Sequence, residues 1–350
     1  DSIDADKLVY TATVAANASL DRASHDETKE LELSGIKLSS ANVEFKGLIR
    51  MRMAFTLPED LEGSEDVFVV YYLEGEHGLE EVTRIALKDG TKITGKSGVS
   101  YGYYCPVRTK QFADNLHIRI LDANGEPMAY TAGSSWTGID YTYSTKQYAE
   151  AVLGPNSTSS QTMKDLAQAF IDYGTAAKIY FDYDAEGCEV PDRVTAVTAE
   201  EMGESASYDK EAMEEMGFSN SVNLDFKADN SLYVYFFLPS GKTASDYTFS
   251  IKRGGSETVT TAKLVDAALN KYVVTVNNIA AKNLGEFYDF VVTDNETSKA
   301  VSVHASAISY AKLIVESYNN TTDQGKINMM NLAKALYLYS EAAAAYFAGN

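Results

Sequence analysis

Tryptophan occurs once in this chain of 350 residues, cysteine twice, histidine four times and proline six times. Two cysteines, Cys105 and Cys188, exclude a disulfide-stapled scaffold. They form one bridge or remain two thiols, and both alternatives stay open. There is no CxxC and no HExxH, and His25, His77, His117 and His304 are scattered, so no metal site is expected. GxSxG, a Walker A loop and a GxGxxG after a strand are also missing, so no cofactor is implied. No apolar run approaches the roughly 18 residues that span a bilayer, so no membrane insertion is expected. Asp1 opens the chain with no signal peptide in view, as expected of a processed or excised chain. Positive charge is scarce, 30 basic against 50 acidic side chains, a formal charge of −20. Such a field repels phosphate backbones and anionic lipid, which disfavours nucleic acid and membrane surfaces as partners and suits a dispersed soluble protein.

What the chain does contain is itself, twice. Ala167–Phe181 (AQAFIDYGTAAKIYF) returns as Ala333–Phe347 (AKALYLYSEAAAAYF), with seven of fifteen residues identical. Upstream, Leu57-Pro58 matches Leu238-Pro239, Asp122 matches Asp294, and Tyr148-Ala149 matches Tyr310-Ala311. The offsets of these pairs, 181, 172 and 162, leave copy one with about nine extra residues before Asp122 and about ten more before Tyr148. The second insertion falls on Tyr130–Tyr143 (YTAGSSWTGIDYTY) and holds Trp136. Length and repeat predict a first domain over 1–183, a linker over 184–207 and a second domain over 208–350.

Alternating apolar runs open each copy: Val43–Leu57, Asp66–Leu73 and Leu116–Leu121, then SLYVYFFL, YTFSIKR, KYVVTV and FYDFVV. Rich in β-branched and aromatic residues, they read as strands. Asp122-Ala-Asn-Gly125 holds the Asn-Gly pair favoured in tight hairpins and reads as a hairpin. DKLVYTATVA fits an added strand, and the following NASLDRASHDETKE a loop. Each copy ends in a short helix and then a longer one. Leu166, Phe170, Tyr173, Ala177, Tyr180 and Phe181 recur at spacings of three and four, one apolar helix face. Tyr148, Tyr310, Tyr173 and Tyr339 are therefore expected to pack helices, with alanines letting the helix lie close to a sheet. Gly154-Pro155 separates the helices, and the serines after it offer N-caps. In the linker, Ala199–Met202 is expected to make one helical turn. The fold class that follows is α+β, mainly β: two tandem antiparallel β-sandwich units, each followed by a C-terminal helical hairpin.

Chemistry is sparsely marked. Carboxylate pairs for glycoside cleavage are spatial, and nothing singles out one pair among 50 acids. No catalytic residue is therefore expected. Recognition through aromatic faces fits better, because sugar rings lay C–H groups on indole or phenol while carboxylates and hydroxyls take the sugar hydroxyls. The copy-one insertion supplies that mixture, and the candidate ligand-binding residues are Trp136, Tyr130, Asp140, Tyr141 and Tyr143, beside Ser134 and Ser135. Trp136 lies between Gly133 and Gly138 in a polar loop, either as a platform for a ligand or folded back over the sheet. Tyr101, Tyr103 and Tyr104 read as strand packing, with the first two on one face. Copy two has Tyr233, Tyr235 and Tyr247 but no tryptophan.

The succession YYCPVRTKQFADN, YSTKQYAEAVL and LAQAFIDYGTAAKIYFDY resembles a repeat of large secreted surface proteins of Gram-positive gut bacteria, some of which look like components of starch- or fibre-adherence complexes. The resemblance covers roughly Leu31–Tyr183 and Ser219–Phe347 and is most specific in the YGxAAxxYF tail, where copy two has Ser340 in place of the glycine. It implies an extracellular, cell-surface or secreted, non-catalytic module of a multidomain protein, with glycan binding by association and other modules of the same protein or complex as partners. It does not supply binding residues, because the Trp136 insertion lies where the repeat is usually short. The function expected is a carbohydrate-binding pair for a polysaccharide, with starch or another α-glucan first. A structural spacer or protein-interaction module is the alternative, and a glycoside-active enzyme a second one.

Overall fold

The protein is described by a computed structural model covering residues 7–9, 30–45, 48–75, 78–95, 98–133, 136–226 and 230–349. Strand residues make up 38% and helical residues 29%, so the chain is mixed α+β and mainly β. Contacts divide it into two compact units, Asp1–Glu44 with Ile49–Val107 and Phe112–Ala151, and Phe45–Leu48 with Arg108–Gln111 and Val152–Asn350. The division at 151 differs from a boundary at 183 because the longer helix of the first copy makes its main contacts with the last helix of the chain.

The first unit contains β1 (Lys7–Val9), β2 (Glu30–Glu44), β3 (Arg50–Thr56), β4 (Phe68–Gly75), β5 (Gly78–Ala86), β6 (Thr91–Gly95), β7 (Gly98–Pro106), β8 (Leu116–Leu121), β9 (Ala129–Ala132), β10 (Trp136–Gly138) and β11 (Tyr141–Tyr143). One sheet runs β10-β9-β2-β3-β7-β6, with β1 also on β2, and the other runs β11-β8-β4-β5. All pairings are antiparallel except β2 with β9, which is parallel. The alternating run 43–57 is divided between β2 and β3. Alternation turns Met51, Met53 and Phe55 of β3 inward, and they are buried. The core of this unit holds Tyr71, Tyr103 and Tyr130, and the hydroxyl of each donates to a backbone carbonyl. Tyr71 of β4 donates to the Tyr103 carbonyl of β7 (2.7 Å), and Tyr130 of β9 to the Ile118 carbonyl of β8 (2.6 Å), so these bonds tie one sheet to the other. Cys105 is buried and free, its thiol pushed up to about 11 by burial, and Cys188 is free and half-buried. The stretch 10–29 falls outside the described residues, so of the N-terminal expectations only the short β1 is described.

At Asp122 a turn forms, but β8 and β9 on its two sides join different sheets and meet only in the Leu121–Pro127 bridge, so it does not close a strand hairpin. The Asp122 carboxylate accepts from the Asn124 and Glu126 amides, and Gly125 takes φ +81°. The repeat-related Asp294 accepts from the Glu296 and Thr297 amides in the same way. These N–H donors hold both carboxyls below their ordinary values.

Helix α1 (Thr145–Leu153) follows and begins in a reciprocal pair of bonds between Ser144 and Gln147. The second unit then contains α2 (Gln161–Tyr180), α3 (Asp192–Thr195), β12 (Ser207–Tyr208), α4 (Lys210–Met216), β13 (Ser219–Leu224), β14 (Leu232–Phe237), β15 (Tyr247–Arg253), β16 (Ser256–Thr260), β17 (Lys263–Asp266), β18 (Lys271–Val276), β19 (Tyr288–Asp294), β20 (Ala300–Ala305), α5 (Ala307–Tyr318) and α6 (Gln324–Ala348). Its sheets run β13-β14-β18-β17 and β12-β20-β19-β15-β16, all antiparallel. Ser160 caps α2, Ser306 caps α5 and Asp323 caps α6.

Buried alanines on α2 and α6 let these two helices pack on each other, a helix-on-helix contact where a helix-on-sheet contact was expected. The repeat-related Tyr173 and Tyr339 stack face to face, with centroids 5.5 Å apart at 16°, and Phe170 and Phe45 close the cluster. Residues 184–207 are bound to these helices. Arg193 grips Asp172 of α2 through two hydrogen bonds. Lys334 of α6 donates to the Thr195 carbonyl (2.7 Å), and Tyr337 to that of Glu201 (2.7 Å). Val194, Val197 and Met202 are buried beneath. The helical turn of this stretch is α3, while Ala199–Met202 is a hydrogen-bonded turn.

Candidate functional site

The insertion of copy one builds two added strands. β9 and β10 form an antiparallel pair in which Trp136 lies opposite Ala132 and Gly138 opposite Tyr130. Gly133 in the connecting turn takes φ +61°. Trp136 is therefore the first residue of an edge strand and not a loop residue, because the insertion is long enough to pair with itself. A Cβ on Gly138 would stand 3.0 Å from the indole, so glycine there lets the ring lie across the strand.

The indole is half-buried. It leans on Tyr130 (5.1 Å, 56°) and meets Tyr141 edge-on (5.1 Å, 81°), and Tyr141 stacks with Tyr143 (6.3 Å, 21°). Three half-buried rings thus form one aromatic face. Tyr130 is not part of that face: at 0% exposure, with its hydroxyl committed to Ile118, it supports Trp136 from below. Ser134 and Ser135 lie outside the described residues.

Asp140 stands just before β11 and is held by β8. Arg119 donates to it through Nε (3.1 Å) and Nη2 (2.8 Å), and His117 Nδ1 lies 3.1 Å from Oδ1. Arg119 in turn lies over the Tyr72 ring. Asp140 thus fixes the start of β11, and with it Tyr141 and Tyr143, rather than offering a free carboxylate. Burial acts to raise its pKa, but His117 and Arg119 outweigh burial and hold the carboxyl below its ordinary value.

A carboxyl with a depressed folded pKa contributes stability that is present above its unfolded value, about 3.9, and is lost as pH falls through the folded value. Trp136 emission should therefore change in acid with a midpoint below about pH 3.9. In Asp140→Asn the altered emission should already be present at neutral pH. An identical acid profile in the two proteins would remove Asp140 from the support of this face.

The supports His117, Arg119 and Gly138 were not singled out by the sequence. The alternation of LHIRIL does put His117 and Arg119 on one face of β8, but which acid they meet is a tertiary fact. Tyr101 and Tyr103 follow their expected alternation into strand β7, where Tyr103 is buried and donates to the Leu87 carbonyl (2.8 Å). Among the described residues no group of His, Cys, Asp and Glu is arranged to hold a metal ion, and no helix is long and apolar enough to cross a membrane.

No protein-family model matches the chain, and no curated protein matches it. Among solved structures it is similar to the pullulanase from Anoxybacillus sp. LM18-11 at 10% identity and a TM-score of 0.17, covering 75% of this chain and 25% of that one. A likeness of that size bears on neither the fold nor the function of this chain.

Proposed function

We propose that the chain is a non-catalytic, extracellular carbohydrate-binding pair of a cell-surface multidomain protein, and that it binds a polysaccharide, an α-glucan such as starch first. Its organisation in this reading is two tandem sandwich units, each followed by a helical hairpin. Supporting the duplication, the order β2-β3-β7-β6 of the first unit recurs as β13-β14-β18-β17, and β11-β8-β4-β5 as β20-β19-β15-β16. Among the described residues β9 and β10 have no counterpart in the second unit, so what distinguishes copy one is the strand pair that carries Trp136.

The single observation that carries the glycan reading is the aromatic face of Trp136, Tyr141 and Tyr143. Rings held by packing from below lose little side-chain entropy on binding and offer C–H-accepting faces to a sugar. Each such stack adds on the order of 1 kcal/mol beyond contact area. A face with two or three anchors then binds in the range of roughly 10 to 1000 μM. Adhesion to a polymer comes from several modules engaging it together.

One tryptophan reports on one place. Titration with soluble starch, xylan, β-glucan and mannan should give a saturable change in Trp136 emission with one polymer, starch first. Trp136→Ala should cut retardation by that polymer in affinity electrophoresis about tenfold. Silent emission across the panel, with equal mobility of both proteins, would sink this reading and favour a spacer or protein-interaction role.

A further inference from the structure

The second unit has no tryptophan, but it has a cavity of about 490 Å³, within the roughly 300–1,000 Å³ usual for small-ligand pockets. Strand β14 supplies one wall. Its alternation buries Leu232, Val234 and Phe236 and turns Tyr233 and Tyr235 outward, where their rings stack on each other, 6.4 Å apart at 20°. Helix α5 brings Tyr310 to the same space and the end of α2 brings Tyr180. Burial, and then the neighbouring phenols of Tyr318, Tyr180 and Tyr235, push the Tyr310 phenol up, in keeping with hydroxyls gathered around one space. Asp225 and the exposed Asn223 add a carboxylate and an amide, and the buried Leu224 and Phe226 an apolar floor.

The lining selects a class of ligand. It contains no lysine, arginine or histidine but does contain the Asp225 carboxylate, which opposes a phosphate or carboxylate, and the neighbouring Lys271 ammonium lies over the Tyr235 and Phe237 rings. An ammonium ligand is opposed by Lys271, whose Nζ already lies 4.1 Å from the centre of the Tyr235 ring. Phenol hydroxyls both donate and accept, which suits a neutral ligand carrying hydroxyls of both roles.

We propose that this cavity is a second sugar site, taking a short stretch of neutral oligosaccharide beside Tyr233 and Tyr235 with Tyr310, Asp225 and Asn223 meeting its hydroxyls. The choice of a sugar rests on the reading of the Trp136 face, whereas the cavity and its tyrosine lining stand independently of it.

The test is calorimetric titration of the full chain with maltoheptaose, xylohexaose, cellohexaose and mannohexaose, and with choline. The wild type should bind one oligosaccharide at two sites. Trp136→Ala should keep one of them. Tyr235→Ala in that background should weaken the remaining binding about tenfold. Tyr310→Phe, which removes only a hydroxyl, should weaken it by a smaller factor with unchanged thermal stability. Loss of all binding in Trp136→Ala would overturn the cavity while leaving the Trp136 face intact. Residual binding indifferent to Tyr235→Ala would place the second site elsewhere and overturn it too. Binding of choline alone would overturn the sugar assignment, and a wild type that binds none of the oligosaccharides would remove both sites together.

Discussion

Arg193→Ala should destabilise the second unit by about 2–4 kcal/mol, which lowers its melting temperature by roughly 5–10 °C. Asp172 is 1% exposed, and the Arg193 guanidinium meets both its oxygens, with Gln168 as a further donor. Removing the arginine takes two hydrogen bonds from a buried carboxylate, and that desolvation penalty is the larger part of the effect. The Arg193 side chain itself is half exposed, which keeps the estimate below that for a fully enclosed pair. Asp172→Asn combined with Arg193→Ala removes the stranded charge and should recover about half of the loss. Urea unfolding followed by circular dichroism measures both. A change below about 0.5 kcal/mol in Arg193→Ala would show that 184–207 is held by its buried side chains and the Lys334 and Tyr337 hydrogen bonds without help from this ion pair.

Tyr339 carries the second large effect, with opposite signs for two substitutions. Its ring is enclosed by Tyr173, Phe170 and Phe45, so Tyr339→Ala should cost about 3–5 kcal/mol through the cavity it leaves. Among the described residues its buried hydroxyl has no hydrogen-bond partner. Tyr339→Phe removes that desolvated hydroxyl, keeps the stack, and should be neutral to stabilising by about 1 kcal/mol. Tyr173→Phe should instead destabilise by about 1 kcal/mol, because the Tyr173 hydroxyl donates to Asn230 Oδ1 at 3.2 Å. If both Phe variants moved stability in the same direction, the difference between the two hydroxyls would be refuted. The same denaturation experiment reads all three.

Strand and helix types were legible because their periodicities are local. LYVYFF alternates and forms β14, and Leu166, Phe170, Tyr173 and Ala177 recur at helical spacing and form the buried face of α2. The stretch 184–207 was less legible. Its proline, glycine and acids suggest a linker, yet Val194, Val197 and Met202 are buried and α3 packs against α6. Helix α4 went unseen because its seven residues are too short for a periodic signal, although Asp209 caps its start and Gly217, at φ +72°, ends it.

Of the five candidate site residues, Trp136, Tyr141 and Tyr143 share one face, while Tyr130 and Asp140 support it. Composition and sequence proximity bring such residues to notice together. They do not separate a ring that faces out from one that faces in, since that depends on which sheet each added strand joins. β9 and β10 join the first sheet and β11 the second, so Tyr130 lies inside and its neighbours in sequence lie half out.

By itself the sequence determined the recurrence of Ala167–Phe181 at Ala333–Phe347, the type of its longer strands and helices, and the gathering of aromatics in Tyr130–Tyr143, because repeats and periodicities are properties of neighbours along the chain. Only the tertiary structure decided that Tyr173 stacks on its own repeat partner, that Asp140 belongs to Arg119 and His117, and that tyrosines from β14, α5 and α2 line one cavity. Those facts join residues far apart in sequence, and packing and the satisfaction of buried polar groups select such partners only after the local elements have formed.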